Sequence, residues 1–272
     1  MRKIAALLAA LALLAGSAWA QDQAGIRAVY MPQVPVQPGD SAWMRLPEWT
    51  INLSPQVVAL PRGGGTVKKV FVRAMHNGQW LALRLEWADA TPNQEVGTAT
   101  FRDAVAIGFP VTEGSALPSP LMGDKARPVD IWQWTADFDA NAQGQGGFAE
   151  RYPHTEGVWY FPQDYEVTRE VRGWRGFEPV IELTAYGFGT LERKAAQNVR
   201  GLGQYALGRW SVVLRRKLAT GNPRDPLFRS GGTFNAIFAV WDGGAKEVNG
   251  IKSVTMFWTP VTLDPLDTER KQ

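Results

Sequence analysis

Alternation with a period of two is the pattern that any fold of this chain has to satisfy. Over residues 67–74 the apolar Val70, Val72 and Ala74 fall on one face of an extended segment, because successive strand side chains point to opposite sides. Asn77-Gly78 follows, and this pair accepts the left-handed backbone of a tight hairpin. The chain returns over residues 80–87, with Leu81, Leu83, Leu85 and Trp87 inward and Arg84 and Glu86 outward. Val105, Ile107 and Phe109 form the next inward row, and residues 179–186 and 210–214 are further strands. Residues 234–241 are apolar on both faces, which predicts a central strand. Asp242-Gly243-Gly244 turns that strand towards a last one over residues 250–258. Residues 191–199 read as a short helix. Many short strands, Gly/Pro turns and no βαβ alternation predict an all-β fold: an antiparallel β-sandwich with a few short helices and long loops.

The ends and the composition narrow the setting. Arg2 and Lys3 open the chain, an Ala/Leu run fills residues 4–15, and Ala18-Trp19-Ala20 is a small-x-small processing site. Residues 1–20 thus read as a signal peptide cut before Gln21, and residues 21–272 as one exported, periplasmic domain. No other stretch approaches membrane-spanning length. The formal charge of +3 becomes 3 − 2 = +1 without Arg2 and Lys3, and no basic stripe marks a nucleic-acid partner. There is no cysteine, which excludes disulfides, iron–sulfur ligation, thiolate zinc sites and covalently attached c-type haem. Stability must come from the core, to which 12 Trp and 12 Phe contribute. Residues 21–40 form an arm able to wrap the sandwich or a partner, and residues 137–157 a long excursion.

Two residues stand out chemically. Met122 sits in a loop, after Pro118 and Pro120 and before Gly123-Asp124; proline fixes φ, and Gly-Asp is turn chemistry. A soft thioether is thus held on a rigid turn before a strand that carries Trp132 and Trp134. If residues 250–258 are a strand, Lys252 shares an apolar face with Val254, Met256 and Trp258. A buried ammonium is costly, so this lysine must reach solvent, find a counter-charge, or lose its proton and become a ligand. The other candidates are weaker. His76 in a hairpin turn and His154 in the excursion lack metal-ligand spacing and read as solvated. Lys246 lies in a turn. Met75 reads as core; Met256 does too, but it shares the Lys252 face and is the reserve ligand. Asp103, Asp130 and Asp242 sit at strand ends, where capping and turn roles are usual. No phosphate loop or Gly-x-Ser-x-Gly motif is present.

Three ordered segments carry a family resemblance. The first is DAVAIGFP at residues 103–110, with Met122-Gly123 and PVDIWQW at 128–134. The second is YGFGT at 186–190, running on to GRWSVV at 208–213. The third is FAVWDG at 238–243 with GIKSV at 250–254. Trp43, the run at residues 80–83 and Trp87 fit as well. Together they resemble the haem-b-binding γ subunit of the type II dimethyl-sulfoxide-reductase family, the ethylbenzene-dehydrogenase γ-like domain. The likeness covers most of residues 21–272 and is poorest over residues 137–172.

The resemblance implies a β-sandwich holding one non-covalent haem b, with Met122 and Lys252 as axial ligands of the iron. It implies a non-catalytic subunit that relays electrons between the iron–sulfur subunit of a molybdopterin-containing catalytic complex and a soluble c-type cytochrome. Two rival readings are a periplasmic carbohydrate-binding module, which suits an aromatic-rich sandwich, and a haem or redox sensor that acts alone.

Overall fold

The computed structural model describes residues 25–111, 116–143 and 179–266. The signal-peptide reading, His154 and residues 144–157 of the excursion lie outside the described residues.

Two sheets face each other. The first runs in the spatial order β10 (Arg200–Ala206), β11 (Arg209–Lys217), β5 (Trp80–Ala88), β4 (Lys69–His76), β1 (Ile26–Tyr30), β14 (Thr259–Leu263) and β12 (Thr233–Trp241). β2 (Trp49–Asn52) pairs with the first half of β4, ahead of the half that β1 takes. The second sheet continues from β12 to β6 (Ala104–Pro110), β7 (Val129–Thr135), β8 (Val180–Ala185) and β9 (Glu192–Arg193). A two-residue strand, β13 (Ser253–Val254), pairs with β12 on one side and β3 (Ser54–Pro55) on the other.

β12 belongs to both sheets. Residues 233–236 pair with β14, and residues 237–241 pair with β6. That dual membership is why FNAIFAVW is apolar on both faces. The pairings are antiparallel except for β1, which lies parallel to both β4 and β14.

The period-two rows land as expected. Val70, Val72, Leu81, Leu83, Leu85, Trp87, Val105, Ile107 and Phe109 are fully buried between the sheets. Trp87, Trp134 and Trp210 pack together at centroid distances of 4.9–6.3 Å. Phe109, Trp132, Phe228 and Phe234 make a second aromatic group. The Asn77-Gly78 hairpin forms, with Gly78 at φ +83°.

Other expectations change. Residues 191–199 are not a helix; they hold β9 and irregular chain. Among the described residues the helices are α1 (Ala136–Ala142) and a short 3-10 turn (Ser41–Arg45) capped by the Asp40 side chain, which accepts from Ala42 N at 2.8 Å. The arm wraps the sandwich: β1 joins the first sheet, the Pro38 carbonyl accepts from Arg84 Nε at 2.8 Å and the Val34 carbonyl accepts from Arg215 at 3.1 Å. Arg84, expected outward, is therefore covered.

Candidate functional site

The second sheet has a small-residue outer face. Pairing registers Ala104, Ala106 and Gly108 of β6 beside Trp241, Ala239 and Ile237 of β12, with Ile131 of β7 across from Gly108. Their β6 and β12 neighbours Val105, Ile107, Phe238 and Val240 fill the core between the sheets, so these residues point away from it. Ala104, Ala106 and Trp241 form a separate buried apolar cluster, with Ile131 and Ala239 packed on it. Gly108 is needed here for space: a Cβ would lie 2.7 Å from Ile237 Cγ1 and 3.2 Å from Val129 Cγ1. The Ala104-x-Ala106-x-Gly108 spacing is present in the sequence, but period two alone does not tell a small-residue strip from a solvent-facing row.

Met122 stands at one end of this strip. It has φ +78°, and Gly123 after it has φ +69°. A left-handed methionine is strained, and such strain persists only where surroundings enforce it. Here the Met122 carbonyl accepts from Gly187 N at 2.8 Å and Gly123 N donates to Ser119 O at 2.9 Å. Gly123 packs so tightly that a Cβ would lie 3.0 Å from Val129 Cγ2. The turn thus leans on Val129, which also touches the Gly108 position. Met122 itself is half-buried.

Lys252 stands at the other end. The expected strand over residues 250–258 breaks after Val254. Val254 pairs with Ala239 and Ser253 with Val240, so Val254 shares the outer face and Ser253 turns to the core. Lys252 lies next along this ladder, beside Trp241, with Nζ 4.8 Å from the centroid of the indole ring. It faces apolar surface as expected, but on the outside of the sheet rather than between the sheets. Among the described residues no carboxylate pairs with it, and burial alone pulls its amine down to about 8. The Trp241 ring is itself held, its N–H donating to the Asn249 carbonyl at 3.1 Å.

Met122 and Lys252 therefore bound one apolar strip, and no hydrogen bond links them. Met256 is half-buried and Lys246 is exposed at φ +60°. Met75, Trp132 and Trp134 are fully buried core. His76 is not solvated: it is fully buried at the end of β4, its Nδ1 accepting from Gly78 N at 3.3 Å and its ring edge-on to Tyr30 at 5.8 Å. Asp103 does play a turn role, accepting from Asn93 N at 2.6 Å, Gly243 N at 2.8 Å and Trp210 Nε1 at 2.9 Å. Asp130 does not cap. It sits inside the sandwich in an ionic network with Glu182, Asp225, Lys194 and Arg216, which its sequence position did not reveal.

The strip is apolar and runs between a thioether at one end and an amine at the other. A thioether and an amine that deprotonates readily suit iron, since a metal takes the lone pair that the proton would otherwise hold. The donor set and the strip fit a haem; the described residues offer no cysteine or exposed histidine in competition.

Known proteins match along the same stretch. The model of the ethylbenzene dehydrogenase family matches residues 40–253. A haem subunit assigned to a respiratory nitrate reductase in Haloferax mediterranei is 26% identical over 235 residues, covering 86% of this chain and 70% of its own length. The chlorate reductase γ subunit of Ideonella dechloratans is 27% identical over 227 residues, covering 81% and 77%. The dimethylsulfide dehydrogenase γ subunit of Rhodovulum sulfidophilum is 25% identical over 246 residues, covering 86% and 77%. The matched residues include the Met122 turn and the strip but leave out β1 and β14, and the chain belongs to the ethylbenzene dehydrogenase family.

Proposed function

We propose that this chain is the haem-carrying γ subunit of a molybdenum oxidoreductase, and that it moves electrons without transforming the substrate. In this reading it is exported with its signal peptide removed and works in the periplasm. It takes electrons from, or passes them to, the iron–sulfur subunit that serves a molybdopterin-containing catalytic subunit, and exchanges them with a soluble c-type cytochrome. One non-covalent haem b supplies the one-electron chemistry when bound.

The observation that carries the proposal is Lys252, which has no carboxylate partner among the described residues and lies on an apolar strip over Trp241. Such a group is costly unless its lone pair has a use. The chain's own residues have distinct tasks. With haem bound, Lys252 would release its proton and supply Nζ, Trp241 would hold it over the strip, and the Met122 turn would supply Sδ. Ala104, Ala106 and Gly108 keep the floor low, and the surrounding apolar side chains exclude water. Two protein ligands leave no open position on iron, which is why a relay rather than a reaction is expected. The thioether favours ferrous iron, and the amine partly offsets that.

The test is spectroscopic. The full chain, exported from a haem-sufficient host, should carry one reducible haem b that is low-spin and six-coordinate in both redox states. Met122→Ala should open one position and lower the potential, and Lys252→Ala should open the other, while Lys246→Ala changes neither. Near-infrared magnetic circular dichroism and redox titration read these outcomes. Wild-type spectra and potentials in both ligand variants would remove Met122 and Lys252 as ligands; a colourless protein would remove haem altogether.

A further inference from the structure

Among the described residues two triads of carboxylates stand out, and one of them has a cation built in. In the first, Asp130, Glu182 and Asp225 surround Lys194, whose ammonium bonds Asp130 at 2.7 Å and Glu182 at 3.2 Å and also contacts Asp225. Arg216 adds a second positive charge. In the other, Asp89, Asp103 and Asp242 offer oxygens that all lie within 4.8 Å of one another. Among the described residues no lysine or arginine pairs with any of these three. Glu247 adds a fourth carboxylate at the same place, accepting from Asp242 N at 3.2 Å.

Like charges gathered in a buried place repel and lose hydration together. Burial pushes Asp103 up to about 7, with Asp89 adding to the shift, and burial likewise raises Asp89, with Asp242 and Glu247 adding to that. Asp89 is the telling residue. It is 94% buried, that is, 6% exposed. Its Oδ1 accepts from Thr91 N at 3.1 Å, but Oδ2 has no hydrogen-bond partner. The Trp87 indole N–H comes near Asp89 without reaching hydrogen-bond geometry. A buried carboxylate oxygen left without a donor is rare in native proteins and calls for an explanation.

The loop after β5 supplies more oxygen. Asp89, Thr91 and Asn93 follow at every second residue, and Thr91 Oγ1 and Asn93 Oδ1 are 3.0 Å apart. Both converge with Asp242 Oδ1 on one spot: a Cβ on Gly244 would lie 3.0–3.2 Å from all three. Thr91 is exposed and Asn93 and Asp242 are half-buried, so the cluster opens to solvent on that side. Asp103 uses three of the roughly four lone-pair positions of a carboxylate on N–H donors.

We propose that Asp89, Asp103 and Asp242, helped by Thr91 and Asn93, bind one Ca2+ ion. All the donors are hard oxygens, which select calcium, magnesium or manganese over softer metals. Calcium–oxygen distances of about 2.3–2.6 Å place opposite ligands up to roughly 5 Å apart, in keeping with the observed spread. An irregular set of loop oxygens suits calcium's flexible coordination better than magnesium's strict octahedron. The ion would join the end of β5, the start of β6 and the turn after β12, drawing together segments of both sheets.

The test uses the full chain as isolated, stripped with EGTA and dialysed against CaCl2. Metal analysis should find one Ca2+ per chain, with half-saturation at or below about 1 mM, as for extracellular sites. Thermal unfolding should shift upward by several degrees with added Ca2+. Asp89→Asn and Asp242→Asn should each bind Ca2+ at least tenfold more weakly, whereas the surface change Glu192→Gln keeps the wild-type affinity. In EGTA, Asp89→Asn should unfold no lower than the parent, because it removes one repelling charge. That readout separates a ligand from a merely structural carboxylate. The proposal is overturned by absence of stoichiometric Ca2+ at several times that concentration, by unchanged binding in both variants, or by a melting point that answers to pH and not to Ca2+.

Discussion

Lys252 is costly to the fold unless a bound haem takes its lone pair, as proposed above. Its amine is pulled down to about 8 by burial, against about 10.4 in an unfolded chain. Between those values the unfolded state holds more protons than the folded one, so stability rises with pH across that window. Below about 8 the folded lysine is charged and the penalty is present in full. In the haem-free chain, Lys252→Met should therefore raise unfolding stability at pH 7 by about 1–2 kcal/mol, the full shift being discounted for partial exposure. It should also flatten the rise between pH 8 and 10. Urea unfolding at a series of pH values checks this; an unchanged slope would mean that the lysine reaches water freely.

At the scale of a strand, β6 divides its labour by parity. Val105, Ile107 and Phe109 fill the core, while Ala104, Ala106 and Gly108 line the outer strip. The small residues are not spare room, because the strip is already closely packed at Gly108. Gly108→Ala should cost about 1–3 kcal/mol through overpacking against Ile237, and should also weaken haem retention. Pairing it with Ile237→Val should recover part of the loss, since the two residues share the contact. A double-mutant cycle by urea unfolding measures the coupling, and strict additivity would show that the Ile237 contact is not the cause. The Met122 turn belongs to this scale too, because its left-handed backbone is fixed by Ser119 and Gly187 rather than by its own preference.

At the scale of the whole molecule, the network of Asp130, Glu182, Lys194, Arg216 and Asp225 ties the sheets together from within. Asp130 and Glu182 come from β7 and β8 of the second sheet, and Arg216 from β11 of the first. Arg216 is fully buried, with its guanidinium 5.1 Å from the Trp132 ring centroid and 4.8 Å from that of Phe228. Three carboxylates face two cations, and burial pushes Asp130 up to about 7 even though Lys194 and Arg216 oppose the shift. Arg216→Met should leave the acids undercompensated and destabilise the chain by about 3–5 kcal/mol. Adding Asp130→Asn should restore part of that loss. Calorimetry of the single and double variants decides it: a full loss that persists in the double variant would assign the effect to packing instead of charge.

Period two is a local property of a strand, so the rows at Leu81, Leu83, Leu85 and Trp87 and at Val105, Ile107 and Phe109 could be read from the chain itself. So could the Asn77-Gly78 hairpin and the turn that carries Met122, because glycine and proline act on their own backbone. The unusual lysine at position 252 was legible as well. The sheet face it takes was not, because the strand breaks after Val254 and only pairing with β12 sets its direction. Arg84 alternates outward as its sequence says, yet the fold covers it with Pro38, 46 residues away. His76 looked like a turn residue and is fully buried. The two acid triads each draw on segments far apart in the chain. Spacing cannot reveal such groupings, since long-range contact is decided by how the sheets close on each other. Thus the sequence by itself determined the inward rows of the long strands, the hairpin and the two candidate ligands, but not β9 or the break in the Lys252 strand. Tertiary structure alone decided which face Lys252 shares with Trp241, and which carboxylates meet a cation.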